Sequence, residues 1–565
     1  MKMSEHWDDT TDVLVVGSGA GAMTAACRAH DQGADVLVVE KTDQYGGTSA
    51  TSGGVVWLPA TPTIAEAGGE DSRESALSYL RSVVDDPELD DHLRTYVEKT
   101  TELITYLHLH TRVRLRPLPQ YPDMYPERPD SMGGYRAHEP QPLDGKLLGD
   151  DLYRMRSQHI QTKLFGLISW TVDESTVLLT RDKGWLPVAL RIVMRYLLDL
   201  PGRMKSTRDR YLTIGNGLMG SLRLTLRDKN VPLWLDAPMA ELIREDGRVV
   251  GAVIERGGQR LRVRADRGVI LGAGGFEHNE SMRKQYLPNP TESAWSAGSP
   301  GNTGDAIRAA QALGAATRMM DEAWWGPILK LPGEESARMM FAEKNLPGGI
   351  LVSRAGKRFV NESSSYTRVT KRIIEGHREG LESIPCFLIF DSQYRKRYQC
   401  GPMLPGSFQP DWALPDAVKQ WMAKADSVAE LATSIGVDAG RLETTLAEFN
   451  REAAQGKDPV FERGEALYDK LYGDYTHQPN PCLEPISQPP FYAVKVYPGD
   501  LGTKGGLRSD TRARVLDDSG EPIPGLYAIG NSARSLMGST YPASGAPLGA
   551  GMIFGMIAAD HCCAD

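Results

Sequence analysis

Asp12-Val13-Leu14-Val15-Val16-Gly17-Ser18-Gly19-Ala20-Gly21-Ala22 opens the most informative stretch of the chain, and Asp35-Val36-Leu37-Val38-Val39-Glu40 closes it. A short apolar run bounded by glycine is what a strand buried on both faces requires. Residues 23–32 have helical character, and the second apolar run ends in an acid. Strand, glycine turn, helix, strand, acid is the dinucleotide-binding fingerprint in its required context. Gly17 permits the tight turn, and Gly19 lets the backbone reach a pyrophosphate. Ala20 and Gly21 complete the turn, and Ala22, in place of a third glycine, still allows close helix–strand packing. The Glu40 carboxylate can accept hydrogen bonds from a ribose. Taken alone, the glycines would also suit a helix-packing loop without a ligand.

Working outward, Gly46-Gly47-Thr48-Ser49-Ala50-Thr51-Ser52-Gly53-Gly54 follows shortly after the acid. Two glycine pairs with hydroxyls between them suit a loop laid along a long cofactor, the hydroxyls bonding phosphate or ring-edge atoms; an ordinary turn is the alternative. Val269-Ile270-Leu271-Gly272-Ala273-Gly274-Gly275-Phe276 is a strand running into small residues, and Gly525-Leu526-Tyr527-Ala528-Ile529-Gly530-Asn531 is another. Elements so widely spread predict one nucleotide domain assembled from distant segments, whereas an NAD-only domain is more often continuous.

The whole chain has 565 residues, room for three or four units or for one large interleaved enzyme. Lys and Arg number 64 against 73 Asp and Glu, a net charge of −9 that disfavours a nucleic-acid partner. The six cysteines form no CxxC pair, which excludes a disulfide scaffold and predicts a reducing compartment with no structural metal. Residues 1–11 are polar and acidic, so no signal peptide is expected. No run of about 18 apolar residues predicts a spanning helix; residues 185–200 are interrupted by Arg191 and Arg195, and residues 546–559 are too few. A cytoplasmic location is the expectation. Residues 186–210 mix Arg191, Arg195, Arg203, Lys205, Arg208 and Arg210 with apolar side chains. That composition suits either a core-packed helix with a solvated loop or a peripheral contact with the inner face of a membrane. Ser427 and Asp438 stand as N-caps before two helices, over 428–434 and 439–454.

These glycine elements, with Asn302-Thr303-Gly304-Asp305, resemble the fumarate reductase/succinate dehydrogenase flavoprotein superfamily over nearly the whole chain. The resemblance implies an α/β fold: a Rossmann-like FAD-binding domain (1–298 and 498–565) with an inserted α+β substrate-capping domain (299–497). It implies FAD, held by Gly17, Gly19, Ala20, Gly21, Ala22, Glu40, Lys41, Gly47, Thr48, Ser49, Ser52, Gly53, Gly54, Met239, Ala240, Gly274, Gly304, Asp305, Gly530, Asn531, Gly545, Pro547 and Leu548. Covalent attachment in that superfamily uses a histidine near the first glycine loop. None lies between His30 and His92, so noncovalent FAD is expected. Dicarboxylate enzymes of the superfamily carry a His-Thr-x-Gly-Gly motif; this chain has Gly502-Thr503-Lys504-Gly505-Gly506, so a dicarboxylate has lost a ligand. Tyr497-Pro498-Gly499-Asp500-Leu501-Gly502-Thr503 and Asn361-Glu362-Ser363-Ser364-Ser365-Tyr366 are instead similar to the 3-ketosteroid dehydrogenase branch. So are Tyr121-Pro122-Asp123-Met124-Tyr125-Pro126 and Thr540-Tyr541-Pro542-Ala543-Ser544-Gly545. Met124 and Ser365 depart from that branch, where an aromatic and a proline are expected.

The chemistry implied is 1,2-desaturation of a 3-oxosteroid. It needs carbonyl polarisation, a base for the C2 proton and a hydride acceptor for C1, the last supplied by FAD. Tyr541 can donate its O–H to the carbonyl, and Gly545, at the start of a helix-like stretch, can offer a bare backbone N–H. By resemblance the base is Tyr366, with Tyr125 hydrogen-bonded to it; half-buried or loop tyrosines are the bland alternative. The partners implied are a 3-oxosteroid and an unidentified electron acceptor. The rival activities are a 3-oxo-5α-steroid 4-dehydrogenase, a fumarate-reductase-like flavoprotein reductase and a noncatalytic flavin-binding protein.

Overall fold

The computed structural model describes residues 6–564, so the expectation of no signal peptide falls partly, at residues 1–5, outside the described residues. Strand Asp9–Val16, buried from Val13 onward, lies at the middle of an eight-stranded sheet. On one side it pairs in parallel with Val36–Val39, Val13 opposite Val36. On the other it pairs in parallel with the long strand Gln259–Leu271. That strand serves two partners: its first half runs antiparallel to Arg248–Arg256, and its last three residues run parallel to Leu526, Tyr527 and Ala528. The three distant strand-to-glycine elements therefore end side by side at one edge, where an open α/β sheet holds its ligand.

Helix Ala20–Asp31 follows the glycine turn and is crossed by the C-terminal helix Ala546–Ala564. A Cβ on Gly21 would stand 2.5 Å from the Gly551 carbonyl oxygen, and one on Gly555 would stand 2.5 Å from that of Gly21. The close approach of two backbones explains why both helices are built from small residues. The C-terminal helix runs to 19 residues, longer than the sequence stretch suggested and long and apolar enough by composition to cross a membrane. Its packing against Ala20–Asp31 and its mostly buried surface make it a core helix.

A second, six-stranded sheet joins Ala323–Leu329, Phe491–Thr503, Cys386–Asp391 and Gly349–Val352 through antiparallel ladders. The helix pair behind it has the expected caps: Ser427 Oγ accepts from Glu430 N (3.2 Å) and Asp438 Oδ1 from Arg441 N (2.6 Å). The expected seam at 497/498 falls inside strand Phe491–Thr503, which pairs with the capping sheet at Tyr497 and again at Thr503. Residues 160–203 add a helical insertion around a small core of Ile168, Trp170, Ile192 and Tyr196. All six cysteines are free, and no metal-ligand cluster occurs among the described residues.

Candidate active site

A continuous groove runs from the glycine turn to the capping sheet. Its first half is lined by Gly17, Gly19, Ala20, Gly21, Ala22, Glu40, Lys41, Gly47, Thr48, Ser49, Ser52, Gly53, Gly54, Met239, Gly274, Asp305, Gly530, Asn531, Pro547 and Leu548. Gly19, the N-cap of Ala20–Asp31, has no side chain to bond the first-turn N–H groups; Ala20 N donates to Ser49 Oγ (3.1 Å), and the N–H groups of Gly21 and Ala22 are left for the groove. Glu40 is already oriented: Ser18 Oγ donates to Oε2 (2.5 Å), and Thr42 donates N–H and O–H to Oε1 (3.0 and 3.1 Å). Lys41 Nζ spans to Asp305 (2.7 Å) and Thr303 (2.6 Å), tying the second strand to the far wall. Uncapped N–H groups for a pyrophosphate and a fixed carboxylate for a ribose fit the donor and acceptor pattern of FAD. The segment 46–54, expected as a loop, contains the short helix Gly47–Thr51, so its hydroxyls come from a turn of helix.

Two expected cofactor residues do not face the groove. Ala240 alternates outward from Met239 on strand Met239–Glu245 and is exposed. Gly304 caps helix Asp305–Gln311 at φ +74°, where a Cβ would meet Met282 and Phe276, so its role is the turn itself.

The second half of the groove is aromatic. Tyr541 and Tyr366, both buried, stand perpendicular with ring centroids 5.3 Å apart, and Trp324 meets Tyr541 edge-on at 4.8 Å. Tyr366 opens helix Tyr366–Arg378, held there by Ser365, whose hydroxyl caps the helix. Burial pushes the Tyr366 phenol well above its ordinary range, the neighbouring tyrosines add to the rise, and a hydrogen bond to Ser544 opposes it. Burial pushes Tyr541 up to about 12, against hydrogen bonds from Tyr366 and the Gly545 N–H. Gly545, at φ +92°, passes so close to the 55–57 segment that a Cβ would stand 2.5 Å from the Val55 carbonyl oxygen. Its own carbonyl accepts from Trp57 N (3.2 Å) and Gly549 N (3.0 Å), and its N–H faces Tyr541.

Tyr125 requires a correction. It does not line the groove, and its hydrogen bonds run to the Tyr541 backbone and the Ser365 side chain, not to Tyr366. Arg368 covers its ring at 4.5 Å. Tyr121, the other tyrosine of the same motif, faces the groove, where its phenol lies 2.7 Å from that of Tyr472 and bonds Ser544. The reason is the anchoring of the loop between them. Asp123 accepts from Trp57 Nε1 (2.9 Å) and Arg136 (2.9 Å), and Met124 N donates to the Pro542 carbonyl (2.9 Å). With Asp123 and Met124 bound to the floor, Tyr121 and Tyr125 emerge on different sides. Trp324, Tyr472 and Ser544 also line the groove without having been expected there. Ser544 could have been found from its place between Tyr541 and Gly545; Trp324 and Tyr472 carry no local signal.

Fold and groove together define an FAD-binding oxidoreductase. Residues 12–548 match the family model of the FAD binding domain. The chain is 39% identical over 558 residues to a 3-oxosteroid 1-dehydrogenase of Mycolicibacterium smegmatis, covering 97% of this chain and 96% of the relative. It is 34% identical to a 4-oxocyclohex-2-ene-1-carboxylate 5-dehydrogenase of Sinomonas cyclohexanicum, covering 96% and 92%. The solved 3-ketosteroid delta1-dehydrogenase of Sterolibacterium denitrificans, in complex with 1,4-androstadiene-3,17-dione, superposes with a TM-score of 0.95 at 46% identity, covering 98% of this chain and all of that one. The chain belongs to the 3-ketosteroid Δ1-dehydrogenase family of FAD-dependent flavoproteins.

Proposed function

We propose that this enzyme introduces a C1–C2 double bond into the A-ring of a 3-oxosteroid. The observation that carries the reading is the convergence of the Tyr541 phenol, the Gly545 N–H and the Tyr366 phenol in one buried cavity continuous with the nucleotide groove. Tyr541 O–H and Gly545 N–H hold the C3 oxygen where enolate charge develops. That polarisation acidifies C2, and Tyr366 takes the C2 proton while the C1 hydride leaves on the opposite side of the new double bond. Bound FAD supplies the two-electron acceptor. Tyr125 fixes the Tyr541 backbone, and Tyr121, linked through Ser544, supports the Tyr366 phenol.

The lining favours an apolar ketone over a carboxylate. Trp170, Val172, Leu179, Met339 and Phe341 face the cavity, and the one Lys or Arg among the lining residues, Lys41, is engaged by Asp305. At Gly502 φ is +140°, strained for a side-chain-bearing residue such as the histidine of dicarboxylate enzymes, and a Cβ there would stand 2.7 Å from Asn531 Nδ2. Anaerobic titration with a 3-oxosteroid should bleach the flavin absorbance and yield a 1,2-unsaturated product. A product unsaturated at C4–C5 would assign the 5α-steroid 4-dehydrogenase activity, and bleaching by 4-oxocyclohexanecarboxylate but not by steroid would assign a small cyclic ketone. We also propose that FAD is held noncovalently: the one histidine among the lining residues, His159, comes from the 160–203 side of the cavity and not from the 46–54 segment. Acid precipitation should release the yellow chromophore, and colour retained in the pellet would refute this.

For location, the 160–203 insertion supports peripheral contact with a membrane. Helix Trp185–Leu198 exposes Leu186 (61%), Leu190 (62%) and Leu198 (69%), and Met204 beyond it is 89% exposed. The insertion also supplies Trp170, Val172 and Leu179 to the cavity, so the apolar face adjoins the route to the site. The basic residues contribute less than their number suggests, because Arg195 pairs with Glu174, Arg210 with Asp199, and Arg203 bonds backbone carbonyls. The contact is therefore apolar more than electrostatic.

A further inference from the structure

Lys504 is fully buried directly after strand Phe491–Thr503, with no role in the chemistry above. Its backbone is locked on both sides: its N–H donates to the Glu322 carbonyl (2.9 Å), and its carbonyl accepts from Ser535 N (2.9 Å). Its ammonium donates to the carbonyls of Gly538 (3.0 Å) and Thr540 and lies 4.3 Å over the ring of Trp324. Among the described residues no carboxylate forms an ion pair with it; the nearby Glu322 pairs with Lys371 at 3.0 Å. Lys371, on the helix that begins with Tyr366, donates in turn to the Ser539 carbonyl (2.8 Å). All three carbonyls of the strap 538–540 are thus held by ammonium groups, and Tyr541 is the next residue. Trp324 completes the brace, since its Nε1 donates to Asn531 Oδ1 (3.0 Å) while its ring meets Tyr541 edge-on.

A buried ammonium without a counter-ion is costly unless carbonyls and a π face replace water, and such an arrangement is rigid because each partner is needed. Burial pulls this ammonium down to about 7, with Glu322 supporting its charge and Lys371 opposing it. We propose that Lys504 is a positioning residue of the oxyanion site, fixing the 538–540 strap and Trp324 so that the Tyr541 phenol stands beside the Gly545 N–H. The inference rests on the reading of Tyr541 as the carbonyl donor.

The test is a double-mutant cycle on single-turnover flavin reduction by a 3-oxosteroid, with Lys504→Met and Lys504→Gln each combined with Tyr541→Phe. Glutamine retains two N–H donors for the strap without the charge. Loss of one oxyanion donor costs about 10²–10³-fold, so Tyr541→Phe should fall in that range and Lys504→Met should slow reduction by about 10- to 100-fold. The double variant should be no more than a few-fold slower than Tyr541→Phe, because Lys504 acts through Tyr541. Lys504→Gln should recover part of the loss, and the flavin midpoint potential should stay at the wild-type value in every variant. Fully multiplicative losses would overturn the inference alone. Loss of flavin by both Lys504 variants would assign the residue to folding and overturn it as well. An unchanged rate in Tyr541→Phe would refute the oxyanion role of Tyr541 and this inference with it.

Discussion

Tyr366 owes its place to Ser365, whose hydroxyl caps the helix that Tyr366 opens. Its phenol is buried among other phenols, and among the described residues no cation is hydrogen-bonded to it, so the proton abstraction proposed for it would depend on neighbouring hydroxyls and on acidification of C2 by the carbonyl donors. Tyr366→Phe should reduce turnover about 10²–10⁴-fold with flavin still bound. Stopped-flow flavin reduction checks this, and near-normal reduction would remove Tyr366 as the base. Tyr121→Phe should slow reduction more than Tyr125→Phe, because only Tyr121 faces the cavity; the reverse order would restore Tyr125 to the support of Tyr366. Away from the site, His138 is buried with both ring nitrogens bonded, to the Arg136 carbonyl (3.0 Å) and to Thr63 (2.9 Å). Burial pulls it down to about 4. A depressed histidine leaves stability intact above pH 6.5 and removes it as pH falls toward 4, because the unfolded chain then binds a proton that the folded one refuses. The loss is about 3 kcal/mol over that window. The melting-temperature deficit of His138→Gln should therefore shrink between pH 7 and 4.5. A deficit that does not change with pH would show that the buried imidazole does not behave this way.

At the scale of elements, the site is a meeting of termini. The start of helix Ala20–Asp31 lines the nucleotide half of the groove, and the start of Ala546–Ala564 brings in Gly545, whose N–H is the proposed partner of the substrate oxygen. Both helices cross at glycines, so the two termini are held relative to each other by backbone contact. Gly545→Ala tests this coupling: its φ of +92° is strained for alanine, and the added Cβ would press on Val55. The expected outcome is a lowered melting temperature together with at least a 10²-fold slower flavin reduction by steroid, the loss of one oxyanion donor. A variant that melts lower but reduces flavin at the wild-type rate would separate the Gly545 N–H from catalysis.

At the scale of the molecule, a nucleotide sheet, a capping sheet and a helical insertion surround the groove, and the insertion exposes Leu186, Leu190, Leu197 and Leu198 on one short helix. The protein should float with lipid vesicles, and replacing Leu186, Leu190 and Leu198 together by Ser should abolish flotation without slowing turnover of a detergent-solubilised steroid. Because most of the arginines are paired internally, raising salt should weaken binding only slightly. Full release by salt alone would make the contact electrostatic, and absence of flotation would end the membrane proposal.

Sequence alone determined the nucleotide half and the family, because its requirements are local. A positive φ at Gly17, an uncapped N-terminus at Gly19, an acid ending the second strand and the caps at Ser427 and Asp438 are each decided within a few residues. The motifs that place Tyr366, Tyr541 and Gly545 on the groove are short, and so were open to a sequence reading for the same reason. Which tyrosine of Tyr121-Pro122-Asp123-Met124-Tyr125 enters the cavity was not, because Arg136, Trp57 and Pro542, remote in sequence, set the rotation of that loop. The pairing of the insertion's arginines and the exposure of its leucines were likewise invisible, since periodicity marks an amphipathic helix but not which face finds a partner. Lys504 read as one residue of a glycine motif; only the folded chain brings the carbonyls of the 538–540 strap and the face of Trp324 around it. Burial and desolvation, which decide what such a group can do, belong to the packed structure because every neighbour that excludes water comes from a different segment.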